Sequence, residues 1–260
     1  MSVLPGIFVS HGAPTLLLEK GPTQDFLAGL GAMLPPPRAI VCISAHWETT
    51  NPRVTGAARP DTIHDFYGFP DALYRMRYPA PGDPALAARI AKLLQEAGFE
   101  VDMDESRGLD HGAWVPLMLA YPQADVPVVQ LSIQIPRGTR HHLEIGKALA
   151  PLRAQGVLIM GSGGATHNLA EFRGQALDAS PLQYVIEFDT WLENAIVTGD
   201  QCALLDYEGS APSARRNHPT AEHFLPLFVA LGATSEETSG RKLHGAFTYG
   251  VLSMAAYAWD

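Results

Sequence analysis

The chain has 260 residues, with 18 basic against 27 acidic side chains for a formal charge of −9, 47% hydrophobic residues and two cysteines. That length suits one large α/β domain with an extensive core, and the acidic balance offers no basic face for a nucleic-acid backbone. No apolar run approaches the roughly 20 residues that span a bilayer, so no membrane segment is expected, and two cysteines are too few for a disulfide framework.

The N-terminus, Met1-Ser-Val-Leu-Pro-Gly6, has neither a basic region nor a long apolar run, which predicts a cytoplasmic protein with reduced thiols, Cys42 buried in a strand and Cys202 in a later helical region. Along the chain, Gly6 to Ser10 reads as a first buried strand. Pro22 opens a helix that runs to about Leu34, where Pro35-Pro-Pro37 stops it before a second strand from Ala39. Ile63 to Gly82 is irregular, rich in aromatics, Pro and Gly, and a loop of that size in a compact domain is often functional. Asp83-Pro84 caps and starts the next helix, whose stripe of Leu86, Ile90, Leu93 and Leu94 ends at Gly98.

Strands are predicted at Pro127 to Ile133, Val157 to Met160 and Phe247 to Met254, and helices at Arg140 to Gln155 and Thr220 to Leu231. A further helix is predicted from Ser180-Pro181 to Gly199, with Val185, Phe188, Trp191 and Leu192 on its buried side. Strand-like and helical runs alternate without repeats or linkers. The expected fold is therefore a single α/β domain over residues 1 to 260, a central mostly parallel or mixed sheet with helices on both faces.

Three histidines follow strand-like runs: His11, His46 and His167. In open α/β sheets the crevice beyond the strands' carboxyl ends binds ligands, so imidazoles delivered there from three strands could share one metal ion. One such histidine alone is more often a hydrogen-bonded structural residue; three at equivalent positions point to a site. Gly12 and Gly163-Gly164 beside them suit tight turns or close approach to a bound group. His223, in His218-Pro-Thr-Ala-Glu-His223, is placed one turn into a helix where it can reach the crevice, with His218 in the preceding loop or behind the site.

His111, in Gly108-Leu-Asp-His-Gly-Ala-Trp114, is a further candidate; Asp110-His111-Gly112 reads equally well as a helix entry with Asp110 as cap or as orienter of an imidazole. His64 belongs to the aromatic loop and could touch a substrate or sit on the surface. His141 and His142 are expected to be solvated in a first helical turn, and His244 to bond locally before the final strand.

Ser10-His-Gly-Ala-Pro14, Ser44-Ala-His-Trp-Glu48, Asp65-Phe-Tyr-Gly-Phe-Pro70, Gly108-Leu-Asp-His-Gly-Ala-Trp114, Gly161-Ser-Gly-Gly-Ala-Thr-His-Asn168 and His218-Pro-Thr-Ala-Glu-His223 occur in order over nearly the whole chain. Together they resemble the class III extradiol ring-cleavage dioxygenases, most closely the DOPA 4,5-dioxygenase-like branch. The resemblance implies a mononuclear Fe(II) site, often found with Zn(II) in preparations, held by His11, His46 and His223. It implies His167 as a fourth ligand or base, and His111 as the acid-base residue. Non-haem iron oxygenases commonly use two histidines and a carboxylate, whereas the corresponding residue here is His223; Glu222 beside it is the carboxylate alternative.

The implied partners are a small aromatic diol and O2, acted on by a monomer or small homo-oligomer, and the implied product is a ring-opened semialdehyde. Trp47, Asp110, His64 and His218 are expected near the substrate, and Phe66, Tyr67 and Trp114 could stack on its ring or simply pack. A zinc hydrolase could use the same open histidine site. A nucleotide-binding module is suggested more weakly by Gly161-Ser-Gly-Gly-Ala-Thr166, which misses the G-x-G-x-x-G spacing at Thr166.

Overall fold

In the computed structural model, residues 3–234 and 238–260 are described. The apolar runs form the middle of one sheet. Its strands are β1 (Gly6–Ser10), β2 (Ala39–Glu48), β3 (Arg53–Thr55), β4 (Asp102–Asp104), β5 (Val128–Ile133), β6 (Val157–Gly163), β7 (Arg241–His244) and, beyond a separate hairpin of β8 (Phe247–Thr248) with β9 (Leu252–Ser253), β10 (Ala256–Trp259). The order is β4-β3-β5-β2-β6-β1-β10-β7. The four central strands β5, β2, β6 and β1 pair in parallel, while β10 pairs antiparallel with β1 and β3 antiparallel with β5. A single mixed α/β domain results.

The helices are α1 (Pro22–Met33), α2 (Asp71–Arg75), α3 (Pro84–Glu96), α4 (His111–Ala120), α5 (Gly138–Leu149), α6 (Gln183–Thr198), the short α7 (Gln201–Leu205), α8 (Tyr207–Ser210) and α9 (Ala214–Asn217), and α10 (Leu225–Gly232). Alternation along the central strands assigns them to faces. Ile7, Val9, Ile40, Cys42 and Met160 pack with Leu27 of α1 and Trp114 of α4. On the other face, Val41, Ile43 and Ile159 pack with Ile90 of α3 and Leu149 of α5, and Phe8 packs with α6 and α10. Helices cover both faces, as the pattern predicts.

Asp83 caps α3 by accepting the Leu86 amide at 2.9 Å, and Gly98 takes a φ of +89° just past the helix. Four boundaries differ from the sequence reading. Helix α6 starts at Gln183 rather than at Ser180-Pro181, because the Leu182 amide bonds the Gly250 carbonyl at 2.9 Å and holds the preceding segment extended. The helix expected from Thr220 starts at Leu225, with His223 in the turn before it. The stretch from Arg140 divides into α5 and a 3-10 turn, Ala150–Gln155, at Pro151. The strand expected at Phe247 to Met254 is instead the β8–β9 hairpin, reversed by Tyr249 and Gly250 at φ of 56° and 70°, and the last sheet strand is β10.

Two histidines also differ. His142 is fully buried, its Nδ1 donating to the Gly138 carbonyl at 2.7 Å and its Nε2 accepting the Gln134 amide at 3.1 Å. His244 lies in β7 and reaches α1, with Nε2 3.0 Å from Thr23 Oγ1 and its ring stacked on Phe26. Among the described residues no helix is long and apolar enough to cross a membrane, and Cys42 is buried and Cys202 exposed, both unpaired.

Candidate active site

His11 directly follows β1, His46 lies near the end of β2, and His223 sits in the turn before α10. The pairing of β2 with β5 shifts register between Ile43 and Glu48, the kind of irregularity that re-aims a side chain near a site. His223 is brought in by the end of β6. There a side chain on Gly163 would meet the His223 carbonyl, and the Gly164 amide donates to that same carbonyl at 2.9 Å. Only glycine permits so close a backbone approach.

The three imidazoles converge. His11 Nε2 and His46 Nε2 are 2.9 Å apart, and the His223 ring centroid is 5.4 Å from that of His11 and 4.9 Å from that of His46. One ligand nitrogen from each lies within 4.8 Å of the others. An ion with metal–nitrogen bonds of about 2.1 Å separates its ligand nitrogens by about 3 Å, so this spacing suits a shared ion.

The tautomers agree. Ser162 Oγ donates to the Gly112 carbonyl and therefore accepts from His11 Nδ1 at 3.0 Å, which leaves His11 Nε2 with a free lone pair. Glu222 Oε1 accepts a hydrogen bond from His223 Nδ1 at 3.1 Å, which frees the His223 Nε2 lone pair in the same way. Burial, reinforced by the other imidazoles, lowers the pKa of His11 and His223 well below the usual value, and burial brings His46 down to about 4. Neutral imidazoles are what a divalent cation requires.

Opposite the triad, His111 begins α4. Asp65 accepts the His111 amide at 3.0 Å, and its Oδ1 lies 2.9 Å from His111 Nδ1. Burial would raise the Asp65 carboxyl, but the contact with the His111 imidazole outweighs it and holds the carboxyl below its usual range. The His111 and His46 ring centroids are 3.9 Å apart. His167 lies face to face with His223, centroids 3.4 Å apart at 10°, and groups with Glu222 and His223 rather than with His11 and His46. Burial brings His167 down to about 4.

These rings line a cavity of about 210 Å³ that Phe66 and Phe69 also face. A cavity of about 150 Å³ holds benzene, so this one is of the size of a substituted ring.

Comparison with known proteins matches this arrangement to chemistry. The family model for the catalytic LigB subunit of aromatic ring-opening dioxygenase matches residues 5–258. The chain belongs to the LigB family. The "4,5-DOPA dioxygenase extradiol" of Beta vulgaris is 45% identical over 254 residues, covering 96% of this chain and 94% of that protein. The protein of that name from Escherichia coli K12 is 41% identical, covering 88% of this chain and 85% of its own length. A crystal structure of an uncharacterized Escherichia coli K12 protein superposes with a TM-score of 0.82 at 34% identity, covering 99% of this chain and all of that one.

The LigB-family site draws together His11, His46, His111, His167 and His223, and leaves other expected contacts outside the cavity. Asp110 is fully buried beneath it, accepting from Ser44 Oγ at 2.6 Å, Gln130 Nε2 at 2.9 Å and Arg107 Nη2 at 3.2 Å. Ser44 Oγ in turn accepts the His46 amide at 3.2 Å, so Asp110 supports the His46 backbone from outside the cavity; nor does its side chain cap α4. Trp47 is buried under the Arg107 guanidinium, and Trp114 is buried with its Nε1 donating to the Ile63 carbonyl. Tyr67 is 91% exposed. His64 bonds the Met76 carbonyl at 3.1 Å, and His218 bonds the Ala165 carbonyl at 2.9 Å among Phe188, Tyr207 and Phe224.

Sequence reasoning gave no role to Asp65 or Ser162. Asp65 opens one of the quoted motifs, which was its only signal; a serine inside an apolar strand reads as core. The glycine-rich run after β6 meets the His223 backbone and leads to a 3-10 turn, Leu169–Glu171, so it presents no phosphate-binding helix start.

Proposed function

We propose that this LigB-family protein is one catalytic domain that opens the ring of a DOPA-type catechol beside its two hydroxyls, adding both atoms of O2 to give a ring-opened semialdehyde. The observation that carries this is the convergence of His11, His46 and His223 on one point, beside a ring-sized cavity faced by the Asp65–His111 pair. The family match supports ring opening over the hydrolase reading, and the relatives' printed names support the DOPA-type diol. Two unpaired thiols fit a reducing, cytoplasmic setting.

His11, His46 and His223 would hold the metal. Bound Fe(II) would polarise the diol and supply the redox chemistry O2 requires, which Zn(II) in the same imidazole site could not. The protein's own groups handle the protons. His111, backed by the Asp65 carboxylate, takes a phenolic proton and gives it back to an O2-derived oxygen as the O–O bond breaks, an oxygen that stays in the product. His167 stays neutral beside the diol and accepts a hydrogen bond from its second hydroxyl. Phe66 and Phe69 exclude water around the ring.

Anaerobic reconstitution with Fe(II), followed by DOPA and O2, tests the reading. Oxygen uptake matched by a yellow ring-fission chromophore is expected. Iron-loaded protein that consumes no O2 with any catechol of a panel would end it.

A further inference from the structure

A second cavity of about 500 Å³ adjoins the first, and Gly12, Ala13, Leu252 and Met254 border both. Gly12 has a φ of +63°, and a Cβ there would run 2.7 Å from Met254 Cε, so the flexible Met254 tip packs on this glycine at the border of the two spaces. The walls are largely apolar, with Leu16, Leu177 and Phe247 among them. Three charged side chains interrupt that lining: Glu19, Lys20 and Asp178.

Glu19 is the most firmly placed of the three. The Tyr249 hydroxyl donates to its carboxylate, 3.1 Å from Oε1 and 3.3 Å from Oε2. Tyr249 is itself fixed. It occupies the β8–β9 turn at a φ of 56°, its amide bonds the Leu177 carbonyl at 3.0 Å, and its ring meets Phe172 edge-on at 5.1 Å. Glu19 and Lys20 are half-buried and exposed, respectively, at one border of the space.

A ring seated beside the three histidines leaves its substituent to the adjoining space. A carboxylate only accepts hydrogen bonds, and one hydroxyl donor does not saturate it; an ammonium brings three donors and the complementary charge. The apolar walls suit the methylenes between ring and head group. We infer that the larger cavity binds the diol's side chain and selects one carrying an ammonium, which pairs with Glu19, while Lys20 meets a carboxylate on the same chain. The inference rests on the ring-opening reading above, and makes a short amino-acid side chain the preferred substituent.

The test uses three catechols that differ only in the tail: dopamine, DOPA and 3-(3,4-dihydroxyphenyl)propionate. Each is titrated calorimetrically into the iron-loaded protein without oxygen, and KM and kcat are then measured from O2 uptake. Glu19→Gln, which keeps the shape and a hydrogen bond to Tyr249, should weaken binding of dopamine and DOPA about tenfold and raise their KM to match, while the propionate, which has no ammonium and is relieved of a like charge, binds no more weakly than before. Lys20→Gln should weaken DOPA and the propionate about threefold and leave dopamine alone. Equal changes for all three diols, or none, would overturn the assignment. Tail-dependent binding without O2 uptake would sink ring opening and keep the tail site; O2 uptake without tail dependence would do the reverse.

Discussion

His142 and the triad of His11, His46 and His223 contrast sharply although all are buried or nearly so and all have lowered pKa values. Both nitrogens of His142 are engaged by backbone, one by the Gly138 carbonyl and one by the Gln134 amide. In the triad, His11 and His223 each commit one nitrogen to a supporting side chain, and the other nitrogen turns toward a shared point. Burial and a depressed pKa thus do not separate ligand from core. An uncommitted nitrogen that meets others at a shared point does, since the buried His218 has a free Nδ1 with no such company among the described residues.

The contrast can be broken most severely at the triad. His46→Ala should lose both the metal and the activity, read by metal stoichiometry after reconstitution and by O2 uptake. His111→Ala should keep the metal and slow turnover by about 10² to 10⁴, since it removes a proton carrier and no ligand; metal loss in this variant would show that His111 belongs to the ligand set. Ser162→Ala removes the acceptor for His11 Nδ1 together with the donor to the Gly112 carbonyl, and should weaken metal affinity by about 10- to 100-fold in competition with a chelator.

The smallest effect lies away from the site. His142 is held at a pKa of about 4 by burial against 6.5 when unfolded, so above 6.5 both states are neutral and the native state suffers no penalty. As pH falls through that value the unfolded chain takes up the proton first, and stability declines down to about pH 4. His142 alone should cost about 2 kcal/mol between pH 7.5 and 5 in urea titrations of the apoprotein, and His142→Gln should flatten the decline by that amount with metal affinity unchanged.

The central strands and the helices α1 and α3 were legible because long Val- and Ile-rich runs and the Pro and Gly punctuation state them locally. The short strands β3, β4 and β7 toward the sheet's two ends were not: segments such as Asp102-Met-Asp104 carry no apolar pattern, and their pairing is decided by neighbours. His11 and His46 could be proposed from their position after strands. His223 was put inside a helix, because nothing local says that β6 glycines pull its backbone into a turn. Asp110 read as a substrate contact because its sequence neighbour is His111, yet the two side chains diverge at the start of α4. Asp65 acts across 46 positions of chain on His111, a pairing only the fold creates.

The backbone contact between Gly163 and His223 ties one imidazole of the triad to a fully buried central strand independently of any ion. A chelator should therefore switch the enzyme off without melting it, and the apoprotein should take up first-row divalent ions according to their affinity for imidazole and their supply together. Discrimination between productive and inert metals would then fall to cellular metal homeostasis instead of to the polypeptide.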